Sequence, residues 1–179
     1  MIVLFDIENV HNADETGLFF QLGPNRTLAT KSDRAKGTKK DKERVTVLLC
    51  CNATGTKMIK PLVIGNYQNP RCFKNINTQT LPVRYTSNSK AWMTMEKWNE
   101  WLKWLDNQLV EKSLLLIDNC PAHTDGSSIN LKNLQVEFIP PILHRTFNLA
   151  MPVLFEISKL IIEPFWCQNG FTTWIMKKR

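Results

Sequence analysis

The chain has 179 residues, 43% of them hydrophobic and 22% charged, which suits one soluble domain with a proper core. No apolar run approaches the roughly 20 residues that cross a bilayer, and "MIVLFDIENV" turns acidic too soon for a secretory leader, so an intracellular protein is expected. A net charge of +7 and a pI near 9.3 lean towards a polyanionic partner.

The predicted elements begin with Val3 to Phe20, a strand with the polar stretch "NADETG" at its centre or end. Lys31, Arg34, Lys36, Lys39, Lys40, Lys42 and Arg44 then stand among three acids in "KSDRAKGTKKDKER". Such a run is either a solvated loop or a contact to nucleic-acid phosphates, and it holds too few apolar residues to join a core. "RVTVLLCCNATG" (44–55) reads as a strand and turn, and "MIKPLVIG" (58–65) as a second strand that Pro61 pushes towards an edge or bulge. Their short Gly-containing connection suggests a hairpin. The stretch 66–89, rich in Asn, Pro, Thr and Ser, reads as irregular loop.

A helix is expected over 94–112, capped by Thr94, with Met95, Trp98, Leu102, Leu105 and Leu109 on one face and Trp101 and Trp104 widening it. "SLLLIDN" follows as a buried central strand, apolar without alternation, and "LQVEFIPP" (134–141) as a last strand ending at two prolines. A helix crossing between strands argues for a mixed α/β sheet. Cys50, Cys51, Cys72, Cys120 and Cys167 form no CxxC, and Cys120 with His123 is two ligands short of a zinc site, so buried reduced thiols are expected.

Asp14 and Asp118 each interrupt or follow an apolar strand, where ligands of α/β sheets gather. Two carboxylates on neighbouring strands repel unless a cation lies between them, and magnesium, an oxygen-seeking ion, suits such a pair. Two aspartates on strands are common without any metal.

The motifs around them narrow the choice. "NADETGLFF", "KERVTVLLCCNATGTKMIKPLVIG", "NPRCFKN", "KAWMT" and "LLLIDNCPAH" together resemble the DDE superfamily endonuclease domain of Tigger- and pogo-type transposases, a family that includes Jerky and centromere protein B. The resemblance runs from about residue 5 to 141. It implies an RNase H-like fold, a mixed five-stranded sheet with flanking helices, and nuclear Mg²⁺-dependent cleavage and joining of DNA. It puts Asp14 and Asp118 in the places of the first two metal-binding acids. Glu15, Asn119 and His123, inside the same motifs, are either groups that orient those ligands or ordinary capping and turn residues. No small-molecule cofactor is expected.

The family's third acid should follow "FIPP", yet "ILHRTFNLAMPVLFEISKLIIE" (142–163) contains no aspartate. Codons exist for this segment that, read one base out of frame, give Asn-Thr-Thr-Ser-His-Leu-Gln-Pro-Cys-Asp-Ala-Gly-Ile-Ile-Arg-Asn-Phe-Lys-Ala-Tyr-Tyr-Arg, which resembles the family's own wording. A one-base frameshift near the codon of Pro141 is therefore expected, leaving 1–141 as a partial DDE domain and 142–179 as an out-of-family tail. Glu156 and Glu163 are the acids left to substitute. Because the chain begins just before the first motif, the family's helix-turn-helix domains, and sequence-specific targeting with them, are expected to be missing. Three function classes remain open: a DNA-binding remnant without catalysis, a decayed transposon fragment with no selected role, and a residual metal-dependent nuclease.

Overall fold

The computed structural model describes residues 5–19 and 44–140. Six strands form one mixed sheet. They are β1 (Val10–Phe19), β2 (Arg44–Asn52), β3 (Leu62–Gly65), β4 (Arg84–Ser87), β5 (Ser113–Ile117) and β6 (Leu134–Phe138), and they lie in the order β4-β3-β2-β1-β5-β6. The β1–β2 and β2–β3 pairs are antiparallel; β3–β4, β1–β5 and β5–β6 are parallel. The one α-helix among the described residues, α1 (Met95–Gln108), crosses from β4 to β5. This is the RNase H-like mixed sheet that the motifs imply, with one strand more.

That extra strand, β4, corrects the reading of 66–89 as loop throughout. Short 3-10 helices at Arg71–Phe73 and Thr78–Thr80 lead into it. Its residues, Arg-Tyr-Thr-Ser, are half buried and carry little hydrophobic signal. What makes them a strand is the exposed parallel edge of β3, with Leu62 beside Arg84 and Gly65 beside Ser87. Pro61 ends the preceding stretch as a strand breaker should, since only Met58 forms an isolated bridge before it.

β2 is apolar on both sides because both of its faces are covered. Leu48 and Cys50 join Ala13, Ile64, Trp98, Trp101, Leu102, Leu105, Leu115 and Ile117 under α1. Val45, Val47, Leu49 and Cys51 pack on the opposite face with Val63, Leu81 and Val83. Burying each of these large side chains stabilises the fold by roughly 1.5–3 kcal/mol. β5 departs from expectation: Leu115 and Ile117 are buried, but Leu114 and Leu116 are only half buried by the described residues. In α1, Thr94 Oγ1 accepts the Lys97 N–H as an N-cap, while Met95, in the first turn, is 54% exposed and leaves the apolar face. No described helix is long and apolar enough to cross a membrane.

Cys50 and Cys51 are buried free thiols and Cys120 is half buried. Burial pushes the Cys50 thiol far above its ordinary range, so the group is inert.

Candidate metal centre

The parallel pairing of β1 with β5 sets Val10 beside Leu114, His11 beside Leu115 and Asn12 beside Leu116. Asn12 reinforces it by donating its side-chain amide to the Leu116 carbonyl at 3.0 Å. Asp14 and Asp118 each follow the Asn12–Leu116 pair by two residues, Asp118 being the first residue past β5. Both carboxylates therefore stand at the C-terminal margin of the β1–β5 pair, the end at which open sheets present ligands.

Strand alternation then separates Asp14 from its neighbour Glu15. Ala13 belongs to the core under α1, so Glu15 shares that face and Asp14 lies on the other. Asp14 Oδ1 accepts the Glu15 backbone N–H at 2.8 Å. Glu15 reaches His123, whose Nε2 lies 2.8 Å from Glu15 Oε1. On its other side the ring meets Asp118: Nδ1 is 3.2 Å from the carbonyl oxygen and 2.8 Å from Oδ1. Although that second separation is short, Oδ1 of Asp118 is buried with no aligned hydrogen-bond donor, so the hydrogen bond belongs to the carbonyl. The ligand atoms of Glu15, Asp118 and His123 all lie within 4.8 Å of one another.

α1 fixes this cluster from the core side. The Trp98 ring stacks on His123 with centroids 4.2 Å apart, and its indole N–H donates to the Thr124 carbonyl. Thr124 Oγ1 in turn donates to Asn99 Oδ1 at 2.6 Å. Burial pulls the His123 pKa down, but the hydrogen bond and charge of Glu15, aided by Asp118, outweigh it and hold the imidazole above its ordinary value. The imidazole thus bridges the Glu15 and Asp118 side chains.

Of the residues singled out in the sequence, the structure joins Glu15, Asp118 and His123, while Asp14 lies on the opposite face of β1 and is not one of that group. Asn119 is exposed. Arg44 opens β2, with its guanidinium 4.3 Å over the Trp92 ring. Lys31, Arg34, Lys36, Lys39, Lys40 and Lys42 lie outside the described residues, as do Glu156 and Glu163. Trp98 was legible as core, but not as the ring beneath His123. Nothing in its helical spacing carries that second role.

The sequence profile of the family described as DDE superfamily endonuclease matches residues 42–153, more than half of the chain. The chain belongs to this family. The DDE match begins within the basic segment and runs past Pro141. Among relatives, mouse "Tigger transposable element-derived protein 4" is 36% identical over 78% of the chain. "CENP-B homolog protein 2" of Schizosaccharomyces pombe is 39% identical over 78%, and the human "Jerky protein homolog" 37% identical over 74%. The chain spans 27%, 29% and 25% of the lengths of these three DDE relatives. The crystal structure of the Mos1 strand transfer complex aligns with a TM-score of 0.42 and 12% identity, covering 91% of this chain and 51% of that one.

Proposed function

We propose that this DDE domain is a transposase-derived module that binds DNA in the nucleus and has lost the strand cleavage and transfer of its ancestors. The observation that carries the ancestral part is the parallel β1–β5 pairing, in which Asn12 lies beside Leu116, two residues before Asp14 and Asp118 respectively. Asp14 and Asp118 would be the metal-holding pair. Magnesium is an ion served by one or two carboxylates, and Oδ1 of Asp118 is a buried oxygen that lies 2.8 Å from His123 Nδ1 without an aligned hydrogen bond. When bound, such an ion supplies Lewis acidity at a DNA phosphate.

The chain's own residues do the remaining work. Trp98 and the Thr124–Asn99 hydrogen bond hold the segment that carries Asp118 and His123. His123 bridges Glu15 and Asp118, with its ring nitrogens 2.8 Å from an oxygen of each. Loss of cleavage follows from the ligand count. Past Pro141 the acids are Glu156 and Glu163, with no aspartate, and a frameshift near Pro141 accounts for the missing motif.

DNA binding rests on the charge of +7 and on the seven basic residues between Lys31 and Arg44. Fluorescence anisotropy with a labelled duplex, in EDTA and at rising salt, tests it. Affinity should fall steeply with salt, and Lys39→Gln with Lys40→Gln should reduce the log–log slope by about 1–2. No binding at about 50 mM salt would reject this reading and favour a decayed fragment without a selected role.

A further inference from the structure

Trp92 is an indole held out to solvent by an unusually braced loop. It is 55% exposed, whereas Trp98 and Trp101 are buried. Asn88 clamps its backbone from both sides: Oδ1 accepts the Lys90 and Trp92 N–H groups at 3.2 and 3.1 Å, and Nδ2 donates to the Trp92 carbonyl at 2.6 Å. Ala91, just before it, is fully buried with φ of 51°, a left-handed conformation that non-glycine residues seldom adopt. The surrounding bonds hold it there. Thr46 of β2 donates Oγ1 to the Ala91 carbonyl at 2.7 Å, and the Asn88 N–H reaches the Gly65 carbonyl at the end of β3. A strained, doubly anchored turn of this kind is characteristic of functional positions.

The other partner is Arg44, whose guanidinium sits 4.3 Å over the Trp92 ring. Among the described residues no carboxylate pairs with Arg44, and its buried Nε has no hydrogen-bond partner. Exposed Lys90 stands two residues before Trp92. Arg44 pairs with Phe19, five residues along β1 from Asp14. At the rise of a strand this is roughly 17 Å, or about five base pairs of duplex. A rigid aromatic face with an adjacent guanidinium that no described carboxylate pairs is the arrangement that stacks a nucleobase while neutralising its phosphate. Bases within a duplex already stack on one another, so the base accepted here is unpaired.

We propose that Trp92, flanked by Arg44, is a stacking platform for an unpaired nucleotide of the DNA bound by this chain. The proposal rests on the DNA-binding reading above. Its test compares two probes on the full chain by anisotropy: a blunt duplex, and the same duplex with a short 3′ single-stranded overhang. The wild-type chain should prefer the overhang. Trp92→Ala should lower the ratio of overhang to blunt affinity roughly 5- to 100-fold, and Trp92→Phe should restore most of it. In the wild-type chain, 5-iodouracil in the overhang should crosslink on irradiation to the peptide that contains Trp92, which keeps the test independent of whether the variant folds. Duplex binding with an unchanged ratio in Trp92→Ala and adducts elsewhere would overturn the platform alone. A change of oligomeric state in that variant, with the ratio intact, would also overturn it and assign Trp92 to a protein contact. Absence of binding to either probe would remove the DNA reading and the platform together.

Discussion

His123 Nε2 lies 2.8 Å from Glu15 Oε1, joining residues 108 positions apart across the end of the sheet. The His123 side chain is wholly shielded, while those of Glu15 and Asp118 keep 17% and 33% exposure. By bridging them, the imidazole lets two acids share a site in which like charges would otherwise repel. Partial exposure of the acids screens much of that charge, so packing against Trp98 contributes alongside it.

Replacing the bridge should therefore cost stability directly. His123→Ala removes the ring from Trp98 and leaves Glu15 and Asp118 facing each other. A loss of about 2–3 kcal/mol is expected from urea unfolding at neutral pH. Asp118→Asn in the same background should recover part of it, because it removes one of the two like charges. Wild-type stability in His123→Ala would mean that the bridge is incidental.

Asp106 supplies the pH dependence. It is 5% exposed near the end of α1, and its carboxylate accepts the N–H groups of Lys132, Asn133 and Leu134 at 2.7–3.1 Å, tying the helix to the start of β6. Burial acts to raise its pKa, but these three backbone donors and the Lys132 charge overcome it and hold the carboxyl below its ordinary value. A carboxyl lowered on folding stabilises fully above its unfolded value, about 3.9, and that contribution is lost as pH falls through the lower folded value. Asp106→Asn should cost about 1.5–3 kcal/mol at pH 7. The difference between wild type and variant should shrink below about pH 4 when thermal unfolding is followed across the acid range.

The coding DNA tests the account of the tail. One inserted or deleted base near the codon of Pro141 should restore a reading frame with an aspartate in the sequence Gln-Pro-Cys-Asp-Ala-Gly. Sequencing that region decides it. If no neighbouring frame encodes the motif, the frameshift is excluded and 142–179 needs another origin.

Much of the fold was readable because hydrophobic pattern and punctuation agreed. β2 announced itself by β-branched residues closed with Asn-Ala-Thr-Gly, and α1 by Thr94 and its apolar spacing. β4 was hidden because its polar residues pair through the backbone along an edge that only β3 creates. In the site, the motifs singled out Asp14, Glu15, Asp118 and His123. That Glu15 rather than Asp14 meets His123 depends on the strand's alternation relative to α1, which no local pattern states. The Arg44–Trp92 stack was equally invisible, since it needs the start of β2 and the loop before α1 brought together.

The most direct test of a DDE scaffold that binds DNA without cutting it is a plasmid-nicking assay. Supercoiled DNA would be incubated with the wild-type chain and Asp118→Ala in Mg²⁺ or Mn²⁺, with DNA binding verified in the same samples. Bound DNA is expected, with nicking no faster in the wild type than in Asp118→Ala. Metal-dependent nicking by the wild type that disappears in Asp118→Ala would contradict it.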